Sequence, residues 1–166
     1  MQTECSAFQL SFQDLDRRRV ESDFDAGLVT SDAGGLLLRE AAAATQMMER
    51  IATCITDARR PELTEHAVLS LVAQRIYGLA LGYEDLNDHN ALRGDVLLQT
   101  AVGRDQALAS APTFSRLENR ATRAQAWALH RVLLEQFVAS FQQAPKELVL
   151  DVDASDVPLH GNQELA

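Results

Sequence analysis

The fold class turns on residues 64–82, "TEHAVLSLVAQRIYGLALG". Val68, Val72, Ile76 and Leu79 recur every three or four residues, and Leu69, Ala73 and Ala80 widen the stripe. That spacing lines one face of an α-helix, because about 3.6 residues complete a turn. Thr64 stands at the N-cap position and Gly82 at the C-terminal stop. Gly78 interrupts the pattern. A glycine there costs about 1 kcal/mol relative to Ala, so it marks a place where a neighbouring element comes close.

The same period extends to both sides. Ser31 reads as an N-cap with Asp32 in the first turn, and Leu37, Ala41, Ala44, Met48, Ile51 and Ile55 form one stripe before Pro61 ends the unit. "YEDLNDHNALRGD" (83–95) is polar and turn-rich with room for one short helix, and "VLLQTAVG" (96–103) is a brief helical piece. Thr113 can cap "FSRLENR" (114–120). Thr122 caps a last long helix, with Trp127, Leu134, Val138 and Phe141 sharing a face with Leu133 and Phe137. "QQAP" (142–145) breaks it, and "KELVLDVDAS" (146–155) reads as a strand. Near the N-terminus "FQLSFQ" alternates and "GLVT" is β-leaning, which suits a small hairpin or extended arm. The expected fold is mainly α, with about five helices, a short β element at the start and a strand at the end.

The chain has 166 residues, 46% of them apolar, enough for one domain with a real core. No apolar run approaches the roughly 18 residues that would span a bilayer, so no membrane partner is expected. Arg17–Arg19 follow the weakly apolar N-terminal part, the wrong order for a secretory signal. Cys5 and Cys54 lack metal-ligand spacing, so reduced thiols and a cytoplasmic location are the expectation.

The net charge of −9 argues, taken alone, against nucleic acid. Its distribution argues otherwise. Fourteen of the 15 basic residues are Arg, Lys146 being the exception. From Arg104 to Arg131 the balance is +3, and from Val132 to Ala166 it is −5. A moderately basic helical stretch therefore runs into an acidic segment. In "PTFSRLENR" and "ATRAQAW", Arg116, Asn119, Arg120 and Arg123 recur at spacings of three and four, which places them on one helical side. Arg pairs bidentately with guanine or phosphate and Asn reads adenine edges, so these four are candidate contacts to double-stranded DNA. A solvated helix face, with Glu118 for local pairing, is the plainer reading. Asp16–Arg19 could touch phosphates or keep an N-terminal arm soluble.

Within the terminal strand, alternation points Val149, Asp151 and Asp153 one way and Leu148, Leu150 and Val152 the other. Two carboxylates on one face are costly to bury without a positive partner, and a hard divalent ion such as Mg²⁺ or Mn²⁺ is the usual one. An exposed strand end decorated with acids is the alternative. Two metal chemistries fit the letters. One is a D-x-D phosphatase, with Asp151 as nucleophile and Asp153 as acid/base, which needs a Rossmann-like domain built downstream. The other is the first acid of a DDE nuclease, where carboxylates from separate segments hold two metals about 4 Å apart. Asp88 and His89 suit a backbone-bonded turn better than a metal site, and His160–Gly161 suit the turn after the strand.

Four stretches carry a resemblance: "LVTSDAGGLLLRE" (28–40), "QRIYGLALGYEDLNDHNALRGD" (74–95), "PTFSRLENR" (112–120) and "LVLDVDASDVPLHGNQE" (148–164). In this order they resemble bacterial insertion-sequence transposases of the DDE type, specifically the family named after insertion sequence thirteen-eighty. The resemblance covers nearly the whole chain. It implies an N-terminal arm over 1–30, a helical DNA-binding or interaction region over 31–143, and over 146–166 the first strand of an incomplete, truncated RNase H-like catalytic domain. It implies Asp153 as the first catalytic, metal-binding acid, with Asp151 the close alternative, and Mg²⁺ or Mn²⁺ as cofactor in the intact protein. The second Asp and the Glu would come from further along, so this polypeptide is expected to hold no metal tightly and to be inactive alone. The implied function is recognition of transposon ends in DNA. A non-catalytic helical module that dimerises with intact transposase and inhibits it is the competing class. Homo-oligomerisation is also compatible with the pattern.

Overall fold

The computed structural model describes residues 29–153, together with the backbone of Leu10–Ser11 and Glu21–Ser22. The latter two form β1 and β2, a minimal antiparallel ladder pairing Leu10 with Ser22 and Ser11 with Glu21. A small hairpin or an extended arm was the expectation here, and Glu21–Ser22 is not one of the segments read for it. The rest of the described chain is helical: α1 (Leu36–Thr45), α2 (Met47–Thr53), α3 (Val68–Ala80), α4 (His89–Leu92), α5 (Val96–Val102), α6 (Ala111–Glu118) and α7 (Arg123–Ala139). Short 3₁₀ turns at Ala33–Gly35, Pro61–Leu63 and Leu86–Asp88 lead into α1, precede α3 and lead into α4.

The α3 helix is the centre. Its inner face buries Leu71, Val72, Ala73, Gln74, Tyr77 and Gly78. Both α2 and α5 pack against it, α1 packs on α5, and α7 lies across α2. Gly82 ends this unit with φ of +93°, a left-handed turn that favours glycine. Thr64 is not the N-cap. It closes the preceding 3₁₀ turn, where its hydroxyl donates to the Arg60 carbonyl at 2.8 Å, and α3 begins four residues later at Val68. Thr113 is likewise displaced as a cap, because α6 starts at Ala111 behind Ser110.

The long N-terminal helix expected from Ser31 onward is two helices. Gln46 adopts a left-handed conformation (φ 51°), and its amide returns to the carbonyls of Ala42 and Ala43, closing α1. The break rotates the buried stripe. Ala42, Met48 and Ile51 enter the core while Leu37 stays 75% exposed. The alanine run 41–44 offers too little apolar area per residue to impose a direction of its own.

The Thr122 cap is as read from the sequence. Its side chain accepts from the Gln125 amide while the Gln125 side chain returns to the Thr122 amide, a reciprocal capping box. The buried face of α7 is the opposite of the expected one. Val132 is buried and Leu129 packs with it against the main core, whereas Trp127, Leu134, Phe137, Val138 and Phe141 face outward. Residues 147–153 form no ladder with any described residue, so the expected strand is an irregular exposed segment. An extended segment becomes a strand only when a neighbour supplies hydrogen bonds to its backbone. Cys5, Asp156 and the His160–Gly161 turn lie outside the described residues.

Candidate nucleic-acid interface

The candidate surface rests on a buried junction between α3, α4 and α6. Gln74 sits in the apolar face of α3 at 1% exposure. Its side-chain Nε2 donates to the Ala109 carbonyl at 2.9 Å, and its Oε1 accepts from the Ala109 amide at 2.9 Å. The side chain thereby imitates a backbone partner for a loop that has none. The second Nε2 hydrogen points at His89 Nδ1, 3.2 Å away. That assigns Nδ1 as acceptor and leaves the ring hydrogen on Nε2, which is buried and unpartnered among the described residues. The His89 ring packs against Phe114 with centroids 4.3 Å apart and the planes tilted by 33°. Burial is the first cause that pushes His89 below its ordinary value, with the Arg75 charge adding to it. A Cβ on Gly78 would sit 3.0 Å from His89 Cε1. That is the close approach the glycine was expected to mark.

Two further contacts pin the ends of α6. The Asn90 side-chain oxygen accepts from the Ala111 amide at 3.1 Å, satisfying one orphan donor of the helix start. At the other end Arg75 Nε donates to Glu118 at 2.9 Å while the same guanidinium donates to the Glu84 carbonyl at 3.1 Å. Tyr83 donates to Asp32 at 2.7 Å, which joins the loop after α3 to the turn before α1. So "SDAGG", "QRIYG", "YEDLNDHN" and "PTFSRLE" meet one another, and their polar residues are spent on holding helices together. His89 opens α4 rather than lying in a turn. It is a buried core ring, tilted against Phe114.

The four DNA candidates do not lie on one helix. Arg116 is in the last turn of α6, Asn119 is its C-cap, Arg120 is in the connecting turn and Arg123 opens α7. The capping box at Thr122 starts a new helix and breaks the three-and-four spacing. The four instead surround a corner, and all are exposed. Arg116 reaches back to the Thr113 hydroxyl at 3.4 Å and Asn119 to the Ser115 hydroxyl at 3.2 Å. Glu118, the acid expected to neutralise this patch, is committed to Arg75. Arg116, Arg120 and Arg123 form no ion pair among the described residues. The sequence reading found these residues but missed Gln74, Arg75 and Asn90, which hold the corner in place. A polar Gln within the apolar stripe of α3 was the available signal.

Asp151 and Asp153 are exposed on the irregular segment. Among the described residues no three His, Cys, Asp or Glu side chains come together as a metal site would need.

A family model for the transposase DDE domain, group 1, matches residues 12–166. The chain belongs to this DDE transposase family. No curated protein and no solved structure matches it significantly. Membership of this transposase family suggests DNA as the partner. No helix among the described residues of the transposase is long and apolar enough to cross a membrane.

Proposed function

We propose that this chain recognises transposon ends, presenting the α6–α7 corner to duplex DNA. The observation that carries the reading is the commitment of Glu118 to Arg75, which leaves Arg116, Arg120 and Arg123 exposed without a carboxylate partner among the described residues. Arg120 and Arg123 contact phosphates, and Arg116 with Asn119 reads base edges. The resemblance to the thirteen-eighty insertion-sequence family supports terminal inverted repeats as the target. Asp153 is the first catalytic carboxylate, with Asp151 the alternative, for metal-dependent cleavage and strand transfer with Mg²⁺ or Mn²⁺. The two other acids of that site are not assigned to any residue described here.

Mobility shift of the purified chain on terminal-repeat and scrambled duplexes, with a salt titration, tests this. Preferential binding to the repeats, weakening steeply with salt, is expected. Arg123→Ala weakens both duplexes alike, and Asn119→Ala narrows the preference between them. Absence of any salt-dependent binding overturns the reading.

One observation favours a second role. The outer face of α7 exposes Trp127 at 67% and Val138 at 68%, with Leu134, Phe137 and Phe141 beside them. Such a face suits a helical interaction module that joins a second transposase copy. Co-purification with a differently tagged transposase copy, reduced by Leu134→Glu, is the expected result.

A further inference from the structure

The outer face of α7 carries a pattern that its packing does not use. Ala124, Trp127, Arg131, Leu134, Val138 and Phe141 recur in alternating steps of three and four, the spacing of a coiled-coil seam, and all six are exposed. The opposite side already rests on α2. Val132 is buried there, and Arg50 donates to Gln136 at 3.0 Å and to Glu135 at 2.8 Å. The helix is therefore held in place before anything meets its free face, which lowers the ordering cost of a contact.

The two ends of this face differ in shape. At the N-terminal end Trp127 projects at 67% exposure, steadied by the His130 ring with centroids 5.5 Å apart. A hollow lies beside it, between Arg123, Ala124 and Trp127. At the C-terminal end the segment after Phe141 folds back, and Phe137, Val138, Phe141, Pro145 and Leu148 line an apolar cleft of about 320 Å³.

A projecting ring at one end and an apolar cleft at the other, on one helix face, match a second copy laid antiparallel. One register sets Trp127 of each copy opposite Val138 of the other, Ala124 opposite Phe141, and Arg131 opposite Leu134 and beside Glu135. Large residues then meet small ones, and every contact occurs twice, as a two-fold interface requires. Arg131, whose side chain is 68% exposed and holds its own Glu135 at 3.4 Å, gains a second carboxylate. A parallel pairing sets Trp127 on Trp127, Ala124 on Ala124 and Arg131 on Arg131, which leaves gaps and opposes like charges.

We infer that α7 pairs antiparallel with α7 of a second copy of this chain, each Trp127 seated in the cleft beside Val138 of the other. This deepens, and rests on, the reading that the outer face of α7 joins a second copy. A single helix face is a small contact, so the pair is weak and separates on dilution.

Sedimentation velocity of the full chain over a concentration series should show monomer giving way to dimer. Trp127 is the single tryptophan of the chain, so its emission reads the seam and should move to the blue at the same midpoint. Leu134→Glu and Val138→Glu should each weaken the dimer by about tenfold or more, with thermal melts to confirm that both variants fold. A nitroxide on Gln142→Cys, in a background of Cys5→Ser and Cys54→Ser, reads the direction of pairing. The label lies roughly 20 Å from Trp127 of its own chain, at about 1.5 Å per residue, but beside Trp127 of an antiparallel partner. It should therefore quench the emission only as the dimer forms. A dimer that both Glu variants weaken, but in which this label quenches nothing, overturns the antiparallel pairing and leaves the α7 interaction face standing. A dimer that neither variant weakens, or a monomer at every concentration, overturns both. Blue emission from such a monomer would mean that another part of the same chain covers the face.

Discussion

The junction beneath α6 and the outer side of α7 are both rich in apolar residues, yet they meet different fates. At the junction, Phe114 and His89 are 0% exposed and Leu71 is 1% exposed. Along α7 and the segment after it, Trp127, Val138, Leu150 and Val152 are 67 to 89% exposed. Hydrophobicity does not separate the two regions. The supply of polar partners does. Gln74 gives the Ala109 backbone both of its hydrogen bonds, and Asn90 gives the Ala111 amide its acceptor, so a loop can be buried without losing hydrogen bonds. After Ala139 the backbone of 147–153 receives no ladder, so it stays in water and its apolar side chains stay with it.

The contrast can be broken at its strong end first. Phe114→Ala removes a wholly buried ring that packs against His89, and should cost about 3–5 kcal/mol in urea unfolding. A cost below 1 kcal/mol would mean the junction is not a core.

Gln74→Leu keeps the volume but strands the Ala109 amide and carbonyl in the interior. It should cost about 2–3 kcal/mol, mostly the desolvation of those two groups. Equal stability of the variant would show that water reaches Ala109 and that the imitation of a strand partner is unimportant.

A pH series sharpens the same point. His66 and His89 are both held below the ordinary 6.5, in each case first by burial. The folded state therefore prefers the neutral ring, and the unfolded chain binds protons first as the pH falls. Their contribution is complete above the unfolded value and is lost as the pH drops through the depressed folded values. Urea midpoints should fall on acidification below about 6.5, and His89→Gln should flatten that decline. The Asp57 carboxyl, lowered to about 2 by its hydrogen bonds from Arg59, titrates only far below this window.

The smallest effect belongs to the other region. Leu134→Ser, on the outward side of α7, should change the stability of the isolated chain by no more than about 0.5 kcal/mol. A loss of several kcal/mol, dependent on protein concentration, would show that this face is already covered in solution.

Legibility of these features followed their range along the chain. The capping box at Thr122, the stop at Gly82 and the breaks before α5 and α7 are local, and could be read from neighbouring letters. The α1–α2 break could not, because Gln46 is an unremarkable helix former and only its left-handed conformation marks the corner. Arg116, Asn119, Arg120 and Arg123 were recognisable as a group by composition. Their spread around a corner was hidden, since the same spacing that suggested one helix straddles the Thr122 cap.

Letter order along the chain was thus enough to establish a mainly helical fold, several of its boundaries and an uneven charge, because helix period and capping act within a few residues. Packing settled the rest. α7 is apolar on opposite sides, and its period cannot say that Val132 meets α2 while Leu134 meets solvent. Which face is buried depends on what arrives from elsewhere with matching shape and hydrogen bonds. The same long-range meeting turned Gln74 and His89 from surface-type letters into the buried fastening beneath the candidate DNA surface.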